Sequence, residues 1–250
     1  MAFLTARDAV GAVLFLLFNL GVAWCFVWLA EKSPAARALQ SCAGVVAPYA
    51  NLIGVLFGLL AAFLTSDVWV DHAKARAAVG QEADALRTMW VVSEAAGDRG
   101  KALGRLIGAY GAVAASADWP TPGKVAAAQG LAAAMLKECL SGEFAAVGGQ
   151  IQRSAVEGLT TIRDAYRSRL AAADGDGRRS EWLGTYILGL FTLAAMVVVQ
   201  LGRLRTMLLA VTLFSAAFTF VMWILLIRLD PFVGPQSVTV DTIRAAARPG

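Results

Sequence analysis

Four uncharged stretches stand out in the pattern of hydrophobic and polar residues along the chain. A membrane-spanning helix needs about 20 mostly apolar residues to cross a hydrocarbon core of roughly 30 Å. The pattern therefore predicts four transmembrane helices, at residues 9–30, 43–66, 182–202 and 206–227. Pro48 lies near the start of the second stretch. Because a helix tolerates proline in its first turn, we expect this regular helix to begin only near Ala47.

A longer charged segment separates the second stretch from the third. Within residues 67–181, apolar residues recur at helical spacing in four stripes, with Gly- or Pro-containing breakers between them. The stripes are Val79, Ala83, Leu86 and Trp90; Leu103, Leu106, Tyr110 and Val113; Leu131, Met135 and Cys139; and Ile151, Ala155, Leu159, Ile162, Tyr166 and Leu170. We therefore expect an all-helical domain here. A tail at residues 228–250 should carry at most a short helix, near 240–247.

The composition places the chain among integral membrane proteins. Hydrophobic residues make up 58% and charged residues 16% of the chain, and the mean hydropathy is +0.62. The predicted fold class is all-α. It has a transmembrane pair within residues 1–66, a cytoplasmic helical domain at 67–181 inserted between the second and third spans, and a transmembrane hairpin at 182–227.

The basic residues predict the orientation in the membrane. Segments rich in Lys and Arg stay on the cytoplasmic side, so we expect the N-terminus, the helical domain and the C-terminus in the cytoplasm. The same topology accounts for a pI of about 9.2, so we do not interpret the positive charge as nucleic-acid binding. The two short connectors between spans hold four of the 22 Lys and Arg residues: Lys32, Arg37, Arg203 and Arg205.

The sequence contains little that an enzyme or a metal site would need. His72 is the single histidine, and no second base or ligand lies at a catalytic or metal-binding spacing. The acidic run at 174–181 lacks the third ligand position of a calcium loop. Cys25, Cys42 and Cys139 are most simply buried thiols. We therefore predict no enzymatic activity, no cofactor and no bound metal.

The second span has the composition of a helix that lines a conduit. Gly54 and Gly58 would let neighbouring helices approach closely, while Val55, Leu59 and Phe63 recur every four residues and form one apolar ridge. Repeated around a symmetric assembly, such a ridge makes a hydrophobic constriction that can gate by dewetting. The alternative is that the ridge packs against neighbouring spans.

Several short motifs resemble bacterial bestrophins and the related bestrophin-like bacterial membrane proteins. Gly54, Phe63 and the run Ala75-Arg76-Ala77-Ala78-Val79-Gly80-Gln81 have the separations found in the second span of bacterial bestrophins. The motifs similar to the bestrophin-like proteins are Leu56-Phe57-Gly58-Leu59-Leu60-Ala61-Ala62-Phe63, Glu82-Ala83-Asp84-Ala85-Leu86, Asp118-Trp119-Pro120, Tyr166-Arg167-Ser168-Arg169-Leu170 and Leu229-Asp230-Pro231-Phe232-Val233-Gly234.

This resemblance implies a homo-oligomer, a pentamer in bestrophins, that passes inorganic anions such as chloride along a central axis. By the same resemblance, Val55, Leu59 and Phe63 take the places of three apolar residues that line the neck of the pore. The chain has Thr65-Ser66 where bestrophins have an asparagine pair, and the acidic calcium clasp of the animal proteins is not evident.

We therefore interpret the chain as an oligomeric bestrophin-like ion channel in a bacterial inner membrane. Thr65 and Ser66 would form the polar exit of the neck, and Lys74 and Arg76 would belong to a basic vestibule that concentrates anions. The expected partners are the lipid bilayer, inorganic anions and further copies of the chain.

The alternative function is a non-conducting membrane scaffold or accessory subunit that binds a partner through its cytoplasmic helical domain. In its favour, no span carries a charged residue, whereas proton and cation pathways usually need one. The order of two spans, a helical domain and two spans also occurs in ion-driven stator proteins, but that match is one of topology only.

Overall fold

The computed structural model describes residues 6–32, 34, 36–174, 176–233 and 237–248. Helices account for 86% of the structure, and these ranges contain no β-strand, so the prediction of an all-helical fold is confirmed. The α-helices in them are α1 (Ala6–Lys32), α2 (Ala36–Ala95), α3 (Lys101–Ala114), α4 (Pro122–Cys139), α5 (Gly142–Ala145), α6 (Gly149–Ala173), α7 (Asp176–Val199), α8 (Leu204–Leu226) and α9 (Asp241–Ala246).

Four segments are long and apolar enough to cross a membrane, by length and composition. They are Ala9–Lys32, Pro48–Ala95, Gly149–Val199 and Leu204–Leu226. The third runs through both α6 and α7, and its long uncharged stretch lies in α7. These helices make the chain a multi-pass membrane protein.

The helix α2 begins earlier than the sequence predicts. We expected a regular helix from about Ala47, but α2 starts at Ala36 and runs through Pro48 as one helix of 60 residues. A proline inside a helix removes one backbone hydrogen bond to the residue four positions earlier. In a helix of this length the remaining bonds continue on both sides, so the expected start near Pro48 was wrong.

The chain folds into two compact units. The first comprises residues 1–70 and 175–237, and the second comprises residues 71–174 and 238–250. The sequence predicts a single tail at residues 228–250. This range is shared between the two units. Residues 238–248 belong to the second unit, where α9 packs against α3.

In the first unit, α1, α7 and α8 pack against one another, and the membrane-spanning part of α2 joins them. One core cluster holds Ala23 and Val27 of α1 with Leu193 of α7 and Val211 of α8. The helices α7 and α8 approach closely at Gly189, where an added Cβ would lie 2.1 Å from Phe218 Cε2. Only glycine fits there without displacing the phenylalanine ring.

One polar contact joins two spans inside the first unit. The side chain of Asn19 is buried, and its Oδ1 accepts a hydrogen bond of 2.8 Å from the Tyr186 hydroxyl. Its Nδ2 donates to the carbonyl oxygen of Phe15 at 2.8 Å. A buried amide without partners is costly in an apolar environment. The Phe15 bond satisfies the amide within α1, and the Tyr186 bond joins Asn19 of α1 to α7.

The second unit is a helical domain built from the C-terminal part of α2 together with α3, α4, α5, α6 and α9. The predicted stripes supply its core, with Leu86, Leu103, Met135 and Leu159 all buried. At its C-terminal end Ala247 fits against Gly111, where a Cβ added to the glycine would lie 1.9 Å from the Ala247 Cβ.

Candidate pore-lining surface and a buried ion pair

The apolar ridge of α2 is exposed on the surface of the single chain. The side chains of Val55, Leu59 and Phe63 are 61%, 49% and 57% exposed. A helix turns about 100° per residue, so residues four apart are offset by roughly 40° and the three share an arc of about 80°. The ridge is therefore one continuous strip of the helix surface.

The opposite surface of α2 packs within the first unit. Leu64 and Val68 are buried against Phe218 and Met222 of α8, and Phe57 packs partly buried beside them. The ring centroids of Phe57 and Phe218 are 5.6 Å apart. The ridge thus points away from the spans of its own chain. Within the described part of this chain, the other spans leave the ridge exposed.

The two residues predicted as a polar exit follow the ridge along α2. The hydroxyl of Thr65 donates to the Ala61 carbonyl oxygen at 2.6 Å, which ties its proton to the helix backbone. Ser66 is exposed and lies seven residues after Leu59, so it is on the same side of the helix. Of this pair, Ser66 is the one that faces the same way as the ridge.

The two predicted vestibule cations lie in the second unit, and both are exposed. The Lys74 Nζ lies 3.4 Å from the Asp71 Oδ1, one helical turn earlier. Arg76 forms no ion pair with any described residue. The charge of Arg76 is therefore uncompensated locally, whereas that of Lys74 is partly neutralised.

A buried ion pair lies at the centre of the second unit, and sequence reasoning missed it. The Arg169 Nε is 3.1 Å from the Glu82 Oε2, and both side chains are fully buried. The Tyr110 hydroxyl donates to the Glu82 Oε1 at 2.7 Å, and the Arg169 Nη1 donates to the Ala114 carbonyl oxygen at 3.0 Å. The guanidinium also lies 4.1 Å from the centroid of the Trp119 ring.

This cluster joins three of the motifs that resemble the bestrophin-like proteins. Glu82, Trp119 and Arg169 come from three separate motifs, and the fold brings them into contact. The separations in sequence carry no signal of pairing, because the contacts depend on how α2, α6 and the turn between α3 and α4 pack together. The available signal was chemical: a Glu and an Arg, each next to a residue of an apolar helical stripe, need a partner if buried.

Burial and the neighbouring charge also affect the tyrosine of the cluster. Burial raises the pKa of Tyr110, and the adjacent Glu82 carboxylate raises it further, while the Arg169 guanidinium opposes both. The phenol therefore stays protonated and serves as a permanent hydrogen-bond donor to Glu82.

The family of the chain follows from a comparison with protein-family models. The model of the Bestrophin-like domain matches residues 17–243. The chain belongs to the bestrophin-like family. No curated protein and no solved structure matches it at a significant level.

The bestrophin-like match covers both the ridge of α2 and the buried Glu82–Arg169 pair. Among the described residues of this bestrophin-like chain, no group of three or more His, Cys, Asp and Glu side chains could hold a metal ion. The described residues of the acidic run at 174–181 form no such group either.

Proposed function

We propose that this bestrophin-like protein assembles into a homo-oligomeric ion channel whose pore is lined by α2. Its family is known for anion channels, and the observation that carries the proposal is the exposed ridge of Val55, Leu59 and Phe63. An apolar strip that faces away from its own bundle faces either lipid or the axis of an assembly. Copies placed around a closed symmetric axis would form an apolar neck from it.

The permeating ions are inorganic anions. Arg76 adds one locally uncompensated positive charge per subunit, and Lys74 adds a second that is partly neutralised by Asp71. Repeated in a ring, these charges raise the local concentration of anions. Ser66, and the lone pairs of the Thr65 hydroxyl oxygen, supply polar contacts next to the neck.

The termini and the helical domain are cytoplasmic, and the membrane is a bacterial inner membrane. Arg178 and Arg228 lie at the end of the first unit where α7 begins and α8 has ended. The Arg178 Nε donates to the Leu229 carbonyl oxygen at 2.8 Å, and the Arg228 guanidinium lies 4.3 Å from the Trp69 ring centroid. These arginine and tryptophan side chains anchor this end of the first unit at the membrane boundary, and the arginines favour the cytoplasmic side of the membrane.

Conductance in planar bilayers tests the channel. The wild type is compared with Leu59→Ala and Phe63→Ala, and the matched controls are Leu213→Ala and Phe220→Ala. The controls remove side chains of the same types, 62% and 66% exposed, from α8. Widening an apolar constriction favours its wetting, so we expect the α2 variants to increase anion current and the α8 variants to leave it unchanged.

Native mass measurement of the purified protein tests the assembly. A closed ring of identical subunits, five by family resemblance, supports the channel. A monomer, a wild type that stays silent under several voltages and anions, or equal effects of the α2 and α8 variants would reject it. A defined complex with another protein would instead favour the non-conducting scaffold.

A further inference from the structure

A cavity opens in the second unit between α4 and α6. Its volume is about 420 Å³, within the range of small-molecule sites. Ala128, Ala132 and Leu136 of α4 form an apolar wall, and the rings of Tyr110 and Tyr166 form another part of the lining. The two tyrosine rings have centroids 6.3 Å apart and an interplanar angle of 65°. These surfaces suit an apolar or aromatic group.

The polar part of the lining carries only one sign of charge. Arg163 and Arg167, one helical turn apart on α6, line the cavity together with Gln129, and none of the described lining residues is Asp or Glu. Neither arginine forms an ion pair with a described residue. The cavity therefore combines two available positive charges with an apolar interior, and this combination favours an anion over a neutral or cationic ligand.

The two tyrosines that line the cavity differ in the hydrogen-bond partners of their hydroxyl groups. The Tyr166 hydroxyl oxygen accepts from the Trp119 Nε1 at 3.3 Å, and no described acceptor takes the Tyr166 proton. The Tyr110 hydroxyl differs, because its proton is donated to Glu82. The Tyr110 proton is therefore committed to Glu82, whereas no described group holds that of Tyr166, and both tyrosines contribute to the lining of the cavity.

We propose that this cavity binds a small organic carboxylate. Its apolar or aromatic body lies between the α4 wall and the tyrosine rings, and its carboxylate is held by Arg163 and Arg167. This inference does not depend on ion conduction, since it concerns only residues of the helical unit. The same chemistry occurs in soluble aromatic acids and in short fatty acids, which the test distinguishes.

Ligand-observed saturation-transfer NMR on the full-length protein in nanodiscs tests the proposal, with empty nanodiscs as the blank. The probes are phenylacetate, octanoate, phenylacetamide and acetate. We expect phenylacetate or octanoate to bind with a Kd of about 1 mM or tighter. Phenylacetamide lacks the negative charge and acetate lacks the apolar body, so both should bind at least about tenfold more weakly than phenylacetate. Tighter binding of phenylacetate indicates a soluble aromatic source, and tighter binding of octanoate indicates an acyl chain.

Variants locate the site. Arg167→Gln should weaken carboxylate binding by about tenfold, because it removes a charge-assisted hydrogen-bond donor. Ala133→Phe, from an exposed position on the cavity lining, should fill the space and abolish binding. The control is Arg153→Gln, an exposed arginine of α6 outside the cavity. Thermal unfolding of each variant verifies its fold.

Three results would overturn the proposal. The first is no binding of either phenylacetate or octanoate, and the second is equal binding of phenylacetate and its amide. The third is a loss in Arg153→Gln as large as that in Arg167→Gln.

Discussion

At the residue scale, we expect the buried Glu82–Arg169 pair to be sensitive to substitution. Arg169→Met leaves the Glu82 carboxylate buried without its cation, which costs about 3–5 kcal/mol. The matched control is Arg87→Met, since Arg87 pairs with Asp84 at 2.6 Å on an exposed surface. An exposed pair contributes about 0–1 kcal/mol. Thermal unfolding in nanodiscs should therefore show a large loss for the first variant and little for the second. Equal losses would contradict a central role of the pair.

Replacing both members of the pair separates loss of charge from loss of packing. In the double variant Glu82→Leu/Arg169→Met neither charge of the pair remains, so we expect it to be more stable than Arg169→Met alone. A double variant that is less stable than either single one would mean that shape, not charge compensation, determines the effect. The same thermal measurement decides between these two explanations, charge compensation and shape.

Cys139 offers a test of burial by pH. It is fully buried, and burial raises the pKa of its thiol to about 11 from the ordinary 9.0. Below both values this lowers the thiolate fraction about a hundredfold. In a Cys25→Ser/Cys42→Ser background, iodoacetamide at pH 8 should label Cys139 at least about tenfold more slowly than the exposed Leu140→Cys, placed in the same background with Cys139→Ser. Similar labelling rates would refute the buried position.

At the element scale, the contact between α7 and α8 depends on one glycine. Gly189→Ala would place a methyl group 2.1 Å from the buried Phe218 ring, and such overpacking costs about 1–3 kcal/mol. Gly184→Ala on the same helix meets nothing within 4 Å and should be neutral or stabilising by up to about 1 kcal/mol. Thermal unfolding compares the two, and a neutral Gly189→Ala would contradict the close contact.

The elements themselves were largely predictable from the sequence. Uncharged length located the four apolar helices, and the helical spacing of Leu86, Leu103, Met135 and Leu159 located the buried stripes. The start of α2 was not predictable from Pro48, because a local rule about proline does not account for a helix supported on both sides. The Glu82–Arg169 pair was also missed, since a pattern within one helix does not show which other helix it will face.

At the scale of the whole molecule, the residues of the proposed pore illustrate how far prediction from a single chain extends. The spacing of Val55, Leu59 and Phe63 predicted one strip of α2, and the packing of Leu64 and Val68 on the opposite side shows that the strip faces away from its own bundle. Neither observation involves a second copy of the chain. A neck is a property of an assembly, so its proof requires the assembly.

The orientation in the membrane can be tested on the whole molecule, in a background with Cys25, Cys42 and Cys139 replaced by serine. Arg203→Cys lies in the connector between α7 and α8, and Lys101→Cys lies in the helical unit; both positions are exposed. Because the basic residues favour a cytoplasmic helical unit, an impermeant maleimide should label Arg203→Cys in intact cells. It should label Lys101→Cys only after the membrane is permeabilised. The reverse pattern would place the helical unit outside the cell, and Arg76 could then attract anions only from that side.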